Sequence, residues 1–332
     1  MVIDSHILVY SRIEMYKTFY TDVENVKHTL KKYGVAVIPN ILSKKQVKRM
    51  RKGMWDTLEQ MSQKLQVPID RDDTDTWKKS FAKFYPKHSM LIQYWGIGHA
   101  QFVWDVRQNL KVKEVFEKIW DEEKLLVSFD GVSIHMGHEI LKRGYHAESW
   151  YHCDQSFKRN NFECVQGFVT AYNAREGDAT LAVLTKSHKY HKEMAEVLGK
   201  DVKGTDWHLL NDEQKNFYLE RGCKERFVKC TAGSLVLWDS RTIHCGKNPD
   251  RDRFKWNMRL VVYVCMTPRK WATEKNLEKK RQALVEKRMT SHWPHKIKLF
   301  PLKPYTYGAP VPPIEMLPDP VLNKTGKKLA GF

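Results

Sequence analysis

The chain has 332 residues, of which 42% are hydrophobic and 29% are charged. This length and composition allow a buried core without disulfides or a structural metal, and no segment approaches the about 20 consecutive apolar residues of a membrane-spanning helix. The formal net charge of +18 indicates attraction to something anionic, such as nucleic acid, an acidic membrane surface or a phosphorylated or carboxylated substrate.

The first residues and the cysteines are the features that bear on the cellular compartment. Asp4, Ser5 and His6 occupy the region where a secretory signal peptide requires apolar residues. The six cysteines contain no C-x-x-C pair, which argues against a zinc or disulfide framework. We therefore expect an intracellular protein, cytoplasmic or nuclear, with free thiols and no signal peptide.

The first third of the chain is predicted to be helical around one short strand. A helix over 21–33 is followed by a buried strand over 35–38. Ser43 and Gln46 have the spacing of a capping box, and apolar residues at intervals of three and four predict an amphipathic helix of about 20 residues after it. Residues 99–120 are predicted to form one or two further helices.

From Leu125 the pattern changes to short apolar segments separated by Gly, Asp and Asn. The predicted strands cover 125–136, 164–173, 179–184, 226–230, 234–239 and 259–266. A polar, partly helical insert at 187–225 interrupts them. After Pro268 we expect an exposed basic helix over 269–289 and a proline-rich segment over 300–320.

This order of elements is not a βαβ alternation, so a parallel, doubly wound sheet is not expected. The predicted class is mainly β with flanking helices (α+β), built on a double-stranded β-helix or jelly roll. We expect a single domain over 1–332, with helical support in 1–124, the β core in 125–268 and the helical, proline-rich extension in 269–332.

The segment Trp150–Ser156 contains the strongest chemical motif. In an extended chain, His152 and Asp154 project to the same side and can bind one metal ion. His244, at the end of an apolar strand that follows Gly233, is the candidate third ligand. Two histidines and one carboxylate on one face form the set that non-haem Fe(II) oxygenases use. The alternative is a histidine at a strand end that hydrogen-bonds to a nearby aspartate.

Arg259 opens the apolar strand that ends the β series. A buried arginine is costly unless an anion pairs with it, and a carboxylate that accepts two hydrogen bonds is the natural partner. The anion can be a cosubstrate, or an aspartate or glutamate of the chain itself.

Five segments in order resemble the phytanoyl-CoA dioxygenase family of Fe(II)/2-oxoglutarate-dependent oxygenases. They are YGVAVIPNILSKKQVKRMR, WYHCDQSF, GDATLAVLTKSHKYH, AGSLVLWDSRTIHCGKNP and RLVVYVCMTP. The third segment has Lys186 where the family favours glycine. The resemblance implies that His152, Asp154 and His244 bind Fe(II), that Arg259 binds the C5 carboxylate of 2-oxoglutarate, and that O2 is the oxidant.

The sequence departs from the family pattern in two places. The family's arginine usually follows the second histidine more closely than Arg259 does, and Arg253 is nearer that spacing but lies in a predicted loop. The family often has Ser or Thr two residues after that histidine, where this chain has Gly246. We prefer Arg259 because it begins the strand.

Other cosubstrate contacts are less strongly indicated. Ser133 and His135 share one face of a predicted strand and are candidates for the C1 carboxylate, and Gln166 and Thr170 share a face of another. Ser133 and His135 are about equally well explained as hydrogen-bonded core residues, and Gln166 and Thr170 could line the pocket. His188 and His191 have a zinc-like spacing, but we do not expect them to bind metal.

The resemblance implies hydroxylation of a small-molecule, lipid or CoA-ester, amino-acid or peptide substrate, with release of succinate and CO2. Asp154 favours hydroxylation because halogenating relatives lack this carboxylate. We expect the substrate to bind between 66–98, the insert 187–225 and the metal. The alternatives are a regulatory protein that binds metal or cosubstrate without turnover, and an oxygenase directed at nucleic acid, which the charge and the aromatic content favour only weakly.

The positive charge is concentrated at the C-terminal end. Residues 269–332 contain 14 Lys and Arg against five Asp and Glu, which is half of the whole excess. We expect the basic helix to be a docking surface for an acidic partner or a solvated face. Its basic residues are Lys275, Lys279, Lys280, Arg281, Lys287 and Arg288.

Overall fold

The computed structural model describes residues 17–84, 91–136, 150–253, 255–306 and 308–332. The strands are β1 (Val35–Ile38), β2 (Leu91–Ile92), β3 (Leu125–Val127), β4 (Val132–His135), β5 (His152–Cys153), β6 (Val165–Thr170), β7 (Thr180–Leu184), β8 (His208–Leu209), β9 (Glu225–Phe227), β10 (Leu235–Asp239), β11 (His244–Lys247) and β12 (Arg259–Pro268). The α-helices are α1 (Val26–Tyr33), α2 (Lys44–Ser62), α3 (Thr74–Ser80), α4 (Gln101–Arg107), α5 (Leu110–Trp120), α6 (His191–Leu198), α7 (Asp212–Glu220), α8 (Glu274–Val285) and α9 (Lys324–Leu329).

The helix boundaries follow from local sequence. α1 ends at Gly34, whose φ of 80° is the left-handed conformation that glycine adopts at a helix C-terminus. α2 begins with the predicted capping box, in which the Ser43 side chain accepts a hydrogen bond from the Gln46 N–H and the Gln46 side chain accepts one from the Ser43 N–H. The segment over 99–120 forms two helices, α4 and α5.

The described strands form two antiparallel sheets. The larger has the order β1–β10–β6–β12–β4–β2, with β3 also paired to β12, and the smaller has the order β8–β5–β11–β7–β9. Neighbours in the sheets are far apart in sequence, as in a jelly roll. The predicted double-stranded β-helix with flanking helices is confirmed.

Alternation along the strands creates two separate cores. In β10, Leu235 and Leu237 pack against the helices outside the larger sheet, whereas Val236 and Trp238 point between the sheets. Val236 and Trp238 meet Val183 of β7 there. A third apolar cluster covers the other side of the smaller sheet with side chains of the insert helices α6 and α7. Polar side chains in the space between the sheets are therefore surrounded by apolar residues, and each needs a hydrogen-bond partner or a ligand.

Most of the basic residues predicted for the exposed helix form hydrogen bonds within the chain, four of them inside the C-terminal extension and one to the β core. Five of the six basic residues named above donate hydrogen bonds to backbone carbonyls of the chain: Lys279 to Ile297, Lys280 to Val127, Arg281 to Gly331, Lys287 to Leu317 and Arg288 to Phe300. Apart from Val127, which belongs to β3, these carbonyls lie in segments without a regular ladder, where the cations satisfy them.

Lys280 corrects the expectation of a solvated basic face. Its side chain is fully buried, and its ammonium lies 3.8 Å from the centre of the Phe129 ring. Burial lowers the pKa of Lys280 well below its usual range. The helical period that exposes Lys275 and Lys279 turns Lys280 towards β3, so the prediction was wrong for this residue.

No helix in the described part of the chain is long and apolar enough to cross a membrane.

Lys186 follows β7 with a φ of 67°, a conformation that costs a side chain about 1 kcal/mol and costs glycine almost nothing. Its side chain is exposed and its N–H bonds to the Tyr33 carbonyl, which glycine preserves. We therefore expect Lys186→Gly to raise the free energy of unfolding by about 0.5–1 kcal/mol in urea denaturation.

Lys189→Gly is the matched control, because Lys189 is also exposed but lies in the 3-10 turn Ser187–Tyr190. It should lower the free energy of unfolding by about 0.5–1 kcal/mol. A loss of stability in Lys186→Gly would contradict the strain argument.

Candidate metal centre

The pairing of β5 with β11 brings the two candidate histidines together. His152 is directly opposite His244 in the antiparallel register, and their ring centroids are 4.4 Å apart. Asp154 follows two residues after His152, so its side chain returns to the same side of the chain. These three residues form a His/Asp group whose ligand atoms all lie within 4.8 Å of one another.

Backbone carbonyls fix the orientation of both imidazoles. The Nδ1 of His152 donates to the carbonyl of Trp150 at 3.1 Å, and the Nδ1 of His244 donates to that of Thr242 at 2.8 Å. A carbonyl can only accept, so Nδ1 carries the proton in each ring and the neutral form has its lone pair on Nε2. Hydrogen bonds of this kind are typical of metal-binding histidines.

Both Nε2 atoms face the same carboxylate. The Nε2 of His152 is 3.7 Å from Oδ1 of Asp154, and the Nε2 of His244 is 3.4 Å from Oδ2. Two lone pairs and an ionised carboxylate are all acceptors, and they repel one another unless a proton or a cation lies between them. Three buried or half-buried acceptors that converge in this way fit a divalent cation.

The protonation states favour a cation. Burial raises the pKa of Asp154, but the charge of His152 and hydrogen bonds from His152 and His244 outweigh it, so the pKa lies well below the usual range. In the metal-free protein, a proton on Nε2 takes the place between imidazole and carboxylate that a cation would occupy. Burial and the neighbouring imidazole of His152 lower the pKa of His244. An ionised carboxylate and a neutral imidazole are the forms that bind metal.

Aromatic rings enclose the group. Trp150 stacks on His152 with a centroid separation of 4.9 Å and an interplanar angle of 16°, and Trp238 lies 5.2 Å from His244. Trp207, from the insert, lies 6.2 Å from His152 and is 52% exposed. Of the segments expected to meet the substrate, the insert therefore contributes an exposed ring next to the candidate metal ligands. Trp77 and Trp95, from 66–98, are buried in the core outside the larger sheet.

Arg259 lies at the edge of the same interior. Its side chain is buried, with 7% exposure, and its guanidinium is 5.1 Å from the centre of the Phe168 ring. Among the described residues, its Nε has no hydrogen-bond partner and no carboxylate forms an ion pair with it. Arg259, Thr170 and Tyr172 line a small pocket that opens to solvent. A buried cation that lacks an internal anion fits an anionic ligand.

The other candidate residues are distributed around this interior. His135 pairs with Arg259 across β4 and β12, and Ser133 hydrogen-bonds to Tyr263. Thr170 donates to the Tyr172 carbonyl at 2.7 Å within the pocket wall. Gln166 is not near Arg259 but near the candidate metal ligands, where its Nε2 donates to Oδ2 of Asp154 at 3.1 Å. Gln166 thus contacts the carboxylate of the metal group.

Arg253 has an anion of its own. Its guanidinium bonds to Asp178 at 3.2 Å, and both side chains are almost fully buried. Asp178 also accepts a hydrogen bond from Asn257, which holds the loop before β12. Of the two arginines considered for the cosubstrate, Arg253 is paired, whereas Arg259 has no ion-pair partner in the part of the chain that the structure describes.

Two sequence features have structural roles instead. The Nε2 of His188 bonds to the Lys31 carbonyl at 3.1 Å, and the ring of His191 stacks on Phe157. Gly246, at the position where the family often has Ser or Thr, has no side chain, and its carbonyl accepts a hydrogen bond from the Trp150 indole.

Sequence reasoning missed two residues near the site. Tyr263 is on the inner face of β12, and the alternation of that strand could have indicated it. His292 donates to the Asp154 carbonyl at 3.1 Å, from a segment that has no motif.

The sequence profile of the family described as phytanoyl-CoA dioxygenase (PhyH) matches residues 30–249, which include the metal group. The chain belongs to the phytanoyl-CoA dioxygenase family. The family resemblance is thus confirmed, and four of the five sequence segments lie within the matched residues.

Individual relatives of this phytanoyl-CoA dioxygenase family member are distant. "Ava biosynthesis cluster protein O" of Aspergillus versicolor is 27% identical over 238 residues, which cover 70% of this chain and 74% of the relative. A putative oxidoreductase from Salmonella typhimurium LT2 superposes with a TM-score of 0.57 at 12% identity, covering 98% of this chain and 91% of that chain. GlcNAc Inducible Gene 2 of Candida albicans gives 0.52 at 14% identity, covering 85% and 75%. These two structures support the fold.

A metal ion bound by the triad of this family member should be visible in its tryptophan fluorescence. Trp150 and Trp238 are in contact with the two histidines, so Co(II), which quenches nearby indoles, should lower the emission in a saturable way. We expect His152→Ala and His244→Ala to weaken the apparent affinity by at least about 100-fold in a fluorescence titration, since each removes one ligand.

His188→Ala is the control, because His188 is a buried histidine outside the group. It should leave the Co(II) affinity unchanged. Equal quenching in the wild type and in His152→Ala would show that the ion binds elsewhere.

Proposed function

We propose that this protein is an Fe(II)/2-oxoglutarate-dependent dioxygenase that hydroxylates an organic small molecule or peptide and releases succinate and CO2. His152, Asp154 and His244 would hold the iron. The observation that carries the proposal is the convergence of two Nε2 lone pairs on one ionised carboxylate, with both Nδ1 protons already bound by carbonyls. Membership of the phytanoyl-CoA dioxygenase family agrees with it.

Arg259 would bind the C5 carboxylate of 2-oxoglutarate. Its buried guanidinium lacks an internal anion among the described residues and borders the pocket with Thr170. Ser133 and His135 lie on β4, next to β12, and remain our candidates for the rest of the cosubstrate. Gln166 would act through Asp154, because it donates to that carboxylate and holds its orientation.

The iron would supply the activation of O2 that no amino-acid side chain provides. The protein's own contribution is to orient and to exclude water. Three protein ligands leave coordination positions open for cosubstrate and O2. Trp150 and Trp238 cover the imidazoles with apolar surface, which keeps the interior dry.

The substrate would approach past the insert. Trp207 presents a half-exposed indole 6.2 Å from His152, and the exposed Leu209 is paired with His152 across β8 and β5. An exposed apolar surface next to the ligands favours a substrate with an apolar portion that packs on it. The basic residues of α8 are mostly bonded within the chain, so the positive charge there gives little support to a nucleic-acid substrate.

The cosubstrate site can be tested without knowing the substrate. Anaerobic addition of Fe(II) and then 2-oxoglutarate should produce the weak visible charge-transfer band of the chelate. Arg259→Met should raise the 2-oxoglutarate concentration at half-maximal absorbance at least about 30-fold, because it leaves a carboxylate without its cation. The Co(II) affinity of Arg259→Met should be unchanged.

Arg251→Ala, an exposed arginine in the loop before β12, is the control and should behave like the wild type. Absence of the band in the wild type would refute the proposed cofactor set. A band without succinate formation in the presence of O2 and candidate substrates would favour a regulatory protein that binds both ligands without turnover.

A further inference from the structure

Asp154 lies in an irregular segment just after β5, so no strand ladder fixes its peptide groups. Its N–H bonds to the Ser240 carbonyl at 3.3 Å. Its carbonyl accepts a hydrogen bond from the Nε2 of His292 at 3.1 Å. The backbone of the carboxylate ligand is therefore held from two sides, and one of them lies 138 residues away in sequence.

His292 belongs to a hairpin-like segment, residues 289–300. Thr290 forms an antiparallel bridge with Leu299, and backbone hydrogen bonds join Ser291 to Lys298 and Phe300 to Met289. This hairpin attaches to the β core at the Phe129 backbone, whose carbonyl accepts from the Thr290 N–H and whose N–H donates to the Thr290 hydroxyl. The hairpin is thus fixed independently of its contact with Asp154.

Trp293 anchors the hairpin next to His292. Its indole is buried against Cys164 of the segment before β6 and Cys265 of β12. Two cations flank the ring, with the guanidinium of Arg159 at 4.5 Å and the ammonium of Lys296 at 4.3 Å from its centre. These contacts fix the Trp293 side chain, and the backbone of the adjacent His292 is therefore restrained as well.

We propose that His292 is a positioning residue for Asp154, and that the hairpin 289–300 of the C-terminal extension is thereby part of the metal-binding apparatus. The inference rests on the proposed function, since it takes Asp154 as a metal ligand. The hairpin lies beyond residue 249, where the match to the family profile ends. This chain therefore completes its metal site with an element that the family match does not include.

His292 can affect the carboxylate because the Asp154 side chain is short, so its carboxylate follows movements of the backbone. A rotation of the Asp154 peptide moves its carboxylate relative to Nε2 of both histidines, and metal affinity depends steeply on that geometry. Gln166 restrains one carboxylate oxygen, but it cannot hold the peptide. The His292 hydrogen bond supplies that restraint, and loss of a group that orients a ligand typically weakens metal affinity about 10–100-fold.

The test compares variants by their affinity for Co(II) and by the visible absorption of the bound ion, both measured without turnover. His292→Ala removes the donor, whereas His292→Gln keeps an N–H donor on a side chain of similar reach. His292→Phe fills the space of the ring without a donor. His295→Ala is the matched control, because His295 is in the same hairpin and bonds to the Thr267 hydroxyl at 3.0 Å, away from Asp154.

We expect His292→Ala and His292→Phe to raise the Co(II) dissociation constant about 10–100-fold and to shift the Co(II) spectrum, with the affinity largely restored in His292→Gln. His295→Ala should keep the wild-type affinity and spectrum. The free energy of unfolding of each metal-free variant shows whether the fold is retained. If His292→Ala does not fold, the comparison of His292→Gln with His292→Phe decides.

Wild-type affinity in both His292→Ala and His292→Phe would overturn the inference. The same loss in His295→Ala, or the same loss in His292→Gln as in His292→Phe, would also overturn it, since the effect would then be a general one on the hairpin. Failure of the wild type to bind Co(II) would instead refute the proposed function.

Discussion

The antiparallel pairing of β5 with β11 is the constraint on which the candidate site depends. It places His152 opposite His244 and leaves their Nε2 atoms directed at Asp154. Because both Nδ1 protons are held by carbonyls of the same segments, the ring orientations are consequences of the backbone. The repulsion among the converging acceptors is tolerable only where the fold around them is rigid, and a bound cation relieves it.

The two sheets provide that rigidity because each sheet packs its outer face against helices or loops and its inner face against the other sheet. Outward residues of the larger sheet, such as Leu235 and Leu237, are packed against helices, which leaves the inner face free for a mixed set of side chains. Val236 and Trp238 of the same strand form the apolar wall of the interior. Arg259 lies at the edge of this interior, and no described residue supplies an anion for its buried guanidinium, whose charge then has to be compensated by a ligand or by water.

The C-terminal extension has a structural role that its positive charge did not predict, because several of its basic residues form hydrogen bonds within the chain. Several of its cations donate to backbone carbonyls, among them Lys280 to Val127 of β3 and Arg281 to Gly331. These bonds fix α8 and, through the following hairpin, bring His292 to the peptide of Asp154. A segment with the composition of a docking surface thus contacts the backbone of a candidate metal ligand directly.

Local sequence determined much of the molecule. The capping box at Ser43, the strand alternation and the His-x-Asp spacing depend on neighbouring residues, so helices, strands and two of the three candidate ligands could be predicted from them. His244 and Arg259 were candidates because each lies at the end or start of an apolar strand, and the family resemblance implied their roles.

Tertiary structure alone decided the contacts between distant segments. The ion pair of Arg253 depends on Asp178, the contact of Gln166 depends on how β6 approaches Asp154, and the burial of Lys280 depends on β3. The contact of His292 with Asp154 spans 138 residues and leaves no periodic signal in the sequence. Periodicity specifies which face of an element is apolar, but the packing of elements decides which polar groups meet across the interior.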